Sequence, residues 1–580
     1  MRKLASLAVL ALLSACATVT ERRAAPVEVK IIAFNDFHGA LEPPKWAINA
    51  TAPDGSAVRV PAGGAAYLAS AVARLKADNP NNVVVAAGDL ISASPFVSSQ
   101  FLDEPTILAM NLIGLDLNAV GNHEFDRGPD ELLRMQKGGC ARHTNREPCR
   151  LDKEFPGARF SFLAANVRKP DGSTLLPATS IRSFGRGRSA VRVGFIGLTL
   201  KDTPTLVVPS SVAGLSFEEE AGTINALVPK LRADGADAIV VLIHQGLYTK
   251  TGYNDKSCGG VSGDLLPILA KLDPSIDVVV SGHTHSAYVC DHGTIDPSRP
   301  FLVTSTGRSG TVLTDIRLAI DPVAGRVVSK QADNLIVQGE AFTNPSGTVP
   351  LNAAFPSYPA EPRVQALVSR YVAAAKPIAE RVVGRMSGEA LRTTTLSGES
   401  VLGNLIADVQ RKATGADIGF MNSAGLRADL VPGADGSVRY GQLYAVQPFG
   451  NVVQVKGLTG SQIRAVLEQQ FASGANTVER PMMLLVSEGF SYSYDLRRPQ
   501  GQRILDMLLN GAPIADDRLY RVAVSNFLAT GGDNFTVFRE GTEIAPNGPE
   551  DIDAFEAYVT AAGTLAPPLA NRIRRLDAQP

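Results

Sequence analysis

The sequence predicts an α/β protein of two domains, and three observations predict it. Runs of Val, Ile and Ala that end in polar residues alternate with helix-like stretches through residues 28–340. Near residues 340–360 the composition turns to Pro, Asn, Ser and Gly, and new strand-and-glycine-loop material then continues to about residue 570. The chain of 580 residues is also too long for one compact core.

The first segment is an address. Arg2 and Lys3, an apolar run over residues 4–13 and Ser14-Ala15-Cys16 describe a secretory signal over residues 1–15. Leu13-Ser14-Ala15-Cys16 resembles a bacterial lipobox. That resemblance implies a diacylglyceryl group on Cys16 Sγ and a tether over residues 16–27. It also implies anchoring in the outer membrane, facing the periplasm or the cell surface, since Ala17 and not Asp follows. An ordinary cleaved signal with an incidental cysteine is the alternative. Four cysteines are left, Cys140, Cys149, Cys258 and Cys290, and an even number in an exported chain favours disulfides. Three connectivities are open, of which Cys140–Cys149 and Cys258–Cys290 are the local choices. A structural zinc site competes, without any C-x-x-C spacing in its favour. With 56 basic and 57 acidic side chains there is no cationic excess, which excludes a dedicated binder of nucleic-acid polymers.

Within residues 28–340, five apolar runs end in short polar blocks. Residues 29–39 end in Asp36-x-His38, and residues 83–89 in Gly88-Asp89. Residues 118–126 carry Gly121-Asn122-His123-Glu124 and Asp126; residues 239–244 end in His244; residues 278–285 end in Gly282-His283-Thr284-His285. Helix-like stretches at 64–78, 105–113, 129–137, 217–233 and 263–271 separate them, which puts a site at the strand carboxyl ends. A single His after a strand is more often a structural residue. Five blocks in this order offer carboxylate, carboxamide and imidazole together and no thiolate, a donor set suited to Zn, Mn, Fe or Co.

The set resembles the calcineurin-like metallophosphoesterases. The resemblance implies a four-layer αββα sandwich and two divalent metal ions. One ion would take Asp36, His38, Asp89 and His285; the other would take Asp89, Asn122, His244 and His283. Asp89 would bridge two dications about 3.5–4 Å apart, whose repulsion an intervening anion offsets. It implies a metal-bound hydroxide attacking phosphorus in line, with His123, oriented by Asp126, protonating the leaving oxygen or stabilising the transition state. Glu124 is read as a buttress. His143 and His292 lack a motif and are read as surface or loop residues.

A linker with a helix is expected over residues 341–380, a second α/β domain over 381–570 and a tail over 571–580. Three blocks in that domain bear chemistry: Asn422-Ser423-Ala424-Gly425-Leu426-Arg427, Gln447-Pro448-Phe449-Gly450, and Ser525-Asn526-Phe527 running on to Gly531-Gly532-Asp533. A flat base can stack between Phe449 and Phe527 while Asp533 accepts from sugar hydroxyls. Taken singly, each Phe fits a core role equally well. The order of these blocks resembles the C-terminal domain of the 5′-nucleotidase and UDP-sugar hydrolase family. It implies that Asn422 and Arg427 contact base or phosphate and that domain rotation carries the nucleotide to the metals. One departure stands out: Gly398 occupies the position, just before Glu399, where many relatives have Arg, with Arg392 nearby. The expected function is release of phosphate from nucleoside 5′-monophosphates outside the cytoplasm. The alternatives are cleavage of 2′,3′-cyclic nucleotides or of pyrophosphates in nucleotide sugars and dinucleotides, a thiosulfohydrolase, and a surface nucleotide-binding protein without turnover.

Overall fold

The computed structural model describes residues 25–344, 347–545 and 548–578. The signal, Cys16 and most of the expected tether lie outside the described residues. Two six-stranded sheets build the first half. One runs Arg326–Ile336, Val312–Asp321, Val27–Phe34, Asn82–Ala87, Leu117–Ala119, Ser161–Leu163; the other runs Ala287–Asp291, Leu302–Thr306, Val278–Ser281, Ala238–His244, Val191–Thr199, Thr179–Phe184. Within each sheet the strands of the five blocks run parallel to one another, so their carboxyl ends share one edge.

These strands are apolar on both faces because both are covered. Val29, Ile31, Val83 and Val85 meet Phe195, Val240, Leu242 and Val280 between the sheets. The alternate residues Ile32, Phe34, Val84 and Ala86 pack against helices Ala65–Asp78 and Glu104–Ile113. On the far side Ile196, Ile239 and Val241 pack against Glu220–Ala233 and Leu265–Leu269. The result is the four-layer αββα sandwich. Two expected helices are shorter than read: Ser216–Phe217 forms a strand pair with Val167–Arg168, and the 263–271 stretch is helical only at Leu265–Leu269. The hairpin of Val312–Asp321 and Arg326–Ile336 extends the first sheet antiparallel to Val27–Phe34.

Helix Pro362–Ala379 is no free linker. It opens with Glu361 accepting from Val364 N and buries Val364, Leu367, Val368 and Tyr371 against the helical layer of the first half. The second half centres on a five-stranded sheet, Leu484–Val486, Ile418–Asn422, Leu519–Ser525, Val453–Thr459, Thr542–Ala545, flanked by three- and four-stranded sheets. Helix Val401–Thr414 packs against it. Disulfides join Cys140 to Cys149 and Cys258 to Cys290, the local pairs. His292 is corrected from surface to buried: its ring stacks on Phe301 at 4.9 Å and Nδ1 meets Arg299 O.

Candidate active site

Three of the five polar blocks leave their strands through turns that hold side chains in a costly conformation. Asp36, His38, Asp89, His283 and His285 all have positive φ, between 47° and 73°. For non-glycine residues this costs roughly 1–2 kcal/mol apiece, a strain that accumulates where a site demands it. The close approach also requires glycine: a Cβ on Gly121 would lie 2.2 Å from Asp89 Oδ1.

Two clusters of donor atoms result. Asp36, His38 and His285 form one, and Asp89, His244 and His283 the other. Asp89 Oδ2 lies 2.9 Å from His244 Nε2 and 3.6 Å from His38 Nε2, between the clusters. Asn35 orients Asp36: its Nδ2 donates to Asp36 Oδ2 at 2.7 Å while its Oδ1 accepts from Thr306 N. Glu124 carries out its buttress role by accepting from the backbone N–H groups of Asp89, Leu90 and Gly121.

The residues present fit two cations. His38 Nδ1 faces Ser92 O at 2.9 Å and His244 Nδ1 faces Ala87 O at 2.7 Å. Those contacts place the proton on Nδ1 and leave the Nε2 lone pairs facing inward. His38 Nε2 then meets His285 Nε2 at 3.2 Å, an opposition of lone pairs that a cation resolves. Asn122 Oδ1 and His244 Nε2 are buried without hydrogen-bond partners, the latter despite its nearness to Asp89. Burial pushes His38 down to about 3 and His283 to about 4, so both are neutral donors. Burial alone would lower His244 as well, but the Asp89 and Asp36 carboxylates outweigh it and hold that ring at about 10. A cation there would displace a proton.

His123 belongs to neither cluster. Its Nδ1 meets Asp126 Oδ2 at 2.8 Å, its backbone N–H donates to Asp89 Oδ1, and its ring stacks on Phe449 of the second half at 6.0 Å. That contact sits in a cavity of about 180 Å³ lined by Asn122, His123, Asp126 and His283 from one half. Asn422, Arg427, Phe449, Phe527 and Asp533 line it from the other. Asn422 Nδ2 donates to Asp533 Oδ2 at 2.7 Å, and the Arg427 guanidinium lies 5.7 Å from the Phe449 ring. Arg392 is engaged by Asp429 at 3.2 Å.

Two family profiles match the chain: calcineurin-like phosphoesterase over residues 29–287 and 5′-nucleotidase, C-terminal domain, over residues 382–540. The chain belongs to the 5′-nucleotidase family. Its members of this type are metal-dependent hydrolases of phosphate esters. The chain is 25% identical over 600 residues to the 5′-nucleotidase of Diplobatis ommata, covering 97% of this chain and 92% of that protein. It is 29% identical over 550 residues to endonuclease YhcR of Bacillus subtilis, covering 93% of this chain but only 40% of that longer protein. The crystal structure of a 5′-nucleotidase precursor from Thermus thermophilus superposes with a TM-score of 0.71 at 25% identity, covering 95% of this chain and all of that one.

Several lining residues carried no sequence signal. Leu206, Val207 and Val208 reach the cavity from a loop of the first half, and Asp551 from the second; Gln447 and Asn451, which also line it, belong to the Phe449 block already read from the sequence. Asp551 acts through packing, since its Oδ2 accepts from Asn451 N, 100 residues away.

Proposed function

We propose that the chain releases phosphate from nucleoside 5′-monophosphates outside the cytoplasm. The carrying observation is the shared cavity: the metal-ligand candidates Asn122 and His283, the His123–Asp126 pair and the five nucleoside candidates of the second domain all line it. Asp36, His38, Asp89 and His285 would hold one divalent ion, and Asp89, Asn122, His244 and His283 the other. When bound, such ions supply Lewis acidity to phosphoryl oxygens and acidify a water. Asp89, at 2.9 Å and 3.6 Å from histidines of the two clusters, would serve both ions. His123 gives a proton to the leaving 5′ oxygen while Asp126 fixes its tautomer. Phe449 and Phe527 stack the base, Asp533 accepts from the ribose, and Asn422 and Arg427 hold base and phosphate.

Two disulfides support an oxidising compartment. The lipid anchor on Cys16 rests on its motif, and Cys16→Ser is expected to release the protein from the membrane fraction. Pyrophosphate or cyclic-diester substrates form a second reading, favoured by another cavity, of about 340 Å³, beside His38 and His285. The test is phosphate release with Mn²⁺ from AMP, UDP-glucose, 2′,3′-cyclic AMP and a dinucleoside polyphosphate. Turnover fastest on AMP, abolished by EDTA and by Asp89→Ala, is expected. Nucleotide binding without turnover on any divalent metal would overturn the proposal.

A further inference from the structure

The cavity beside His38 and His285 is walled differently from the nucleoside cavity. Lys45, Trp46 and Arg308 come from the metal-bearing half, and Arg427 and Pro448 from the other. Trp46 is the chain's one tryptophan. The Arg308 guanidinium lies 4.5 Å from the centre of its ring. A cation–π contact holds a guanidinium in place without consuming its N–H donors.

The polar neighbour of Arg308 is His285 Nδ1, 3.4 Å from Nη1. His285 turns Nε2 toward Asp36 Oδ1 at 3.3 Å and His38 Nε2 at 3.2 Å. With Nε2 used as the ligand atom, Nδ1 carries the proton, so it and the guanidinium are both donors and cannot satisfy each other. Among the described residues no carboxylate reaches Arg308 within ion-pair distance. Arg392, by contrast, is taken by Asp429, and Gly398 has no side chain to offer. A planar fork of free donors beside two metal-ligand histidines matches the oxygens of a phosphate group.

We propose that Arg308, braced by Trp46, is a phosphate-binding residue supplied by the metal-bearing domain, and that its cavity receives the phosphate or pyrophosphate end of the substrate. This rests on the phosphohydrolase reading of the site and not on the choice of nucleoside. Because Arg308 and the metal ligands share one domain, phosphate recognition persists for esters too small to engage Phe449 and Phe527.

Trp46 reports directly on this cavity. The zinc-loaded full-length protein is titrated with inorganic phosphate, pyrophosphate and adenosine while tryptophan fluorescence is followed. Phosphate and pyrophosphate are expected to give a saturable change and adenosine none. Arg308→Gln should weaken the phosphate Kd at least tenfold at unchanged zinc content, with Arg308→Lys intermediate. KM for AMP and for p-nitrophenyl phosphate should rise together. An unaltered phosphate Kd in Arg308→Gln overturns the proposal. Loss of zinc from both variants also overturns it, since Arg308 would then only position His285. If AMP is not hydrolysed but the Arg308-dependent phosphate response is present, the nucleotidase reading fails and this one stands.

Discussion

Burial pushes the Asp533 carboxyl up to about 6, against the hydrogen bond from Asn422 and the charge of Arg427. As a ribose acceptor it must be ionised, so below about pH 6 binding has to expel a proton first. KM for AMP should therefore climb as pH falls through 6, and the climb should be shallower in Asp533→Asn. A variant with the wild-type slope would exclude the ribose role. His123 is prepared differently, by the 2.8 Å contact to Asp126 and by standing outside both ligand clusters. His123→Ala should lower kcat by roughly 10²–10⁴ and keep both metals, as expected for lost proton transfer. Elemental analysis showing a lost metal would reassign it as a ligand. The residue types at these positions were legible because His123 lies in a short polar block and Asp533 in a glycine-rich one, each downstream of a strand. Arg308 and Asp551 were not, since each acquires its neighbours from segments distant in the chain.

The functional element is the strand exit. A parallel strand buried on both faces delivers its last residue to the sheet edge, and the turn that follows aims a carboxylate or imidazole inward at positive φ. Glu124 binds two such exits together by accepting from Asp89, Leu90 and Gly121. A tight point lies at Gly121, where any side chain would collide with Asp89. Gly121→Ala should displace Asp89 and cost about 1–3 kcal/mol of stability. It should also bind fewer than two metal ions per chain. Two ions retained, with an unchanged unfolding midpoint, would show that the turn tolerates the methyl group. Helix Pro362–Ala379 shows what an element-level reading leaves open. A helix within residues 341–380 was legible, but its docking on Ala65–Asp78 and Glu104–Ile113 depends on which faces those helices leave bare.

Across the whole molecule the decisive contact is between halves: the rings of His123 and Phe449 stack 6.0 Å apart, nearly parallel. The base platform thereby adjoins the proton donor. Replacing both Phe449 and Phe527 by Ala should raise KM for AMP by tenfold or more, stacking on an aromatic being worth about 1–3 kcal/mol per base. KM for p-nitrophenyl phosphate should change less than threefold. Equal effects on both substrates would reject base stacking. The sequence by itself determined the α/β class and the polar blocks at the strand exits, because strands and their exit turns are written in consecutive residues; the αββα layering, the seven metal-ligand candidates and the roles of the nucleoside-binding blocks came from the resemblance those blocks carry. Only the tertiary structure decided that Asn122 and His283 share a cavity with His123 and the nucleoside-binding residues, that Arg308 rests on Trp46 beside His38 and His285, and that Asp551 holds the Asn451 loop. Those relations join residues far apart along the chain, and packing alone sets which distant side chains become neighbours.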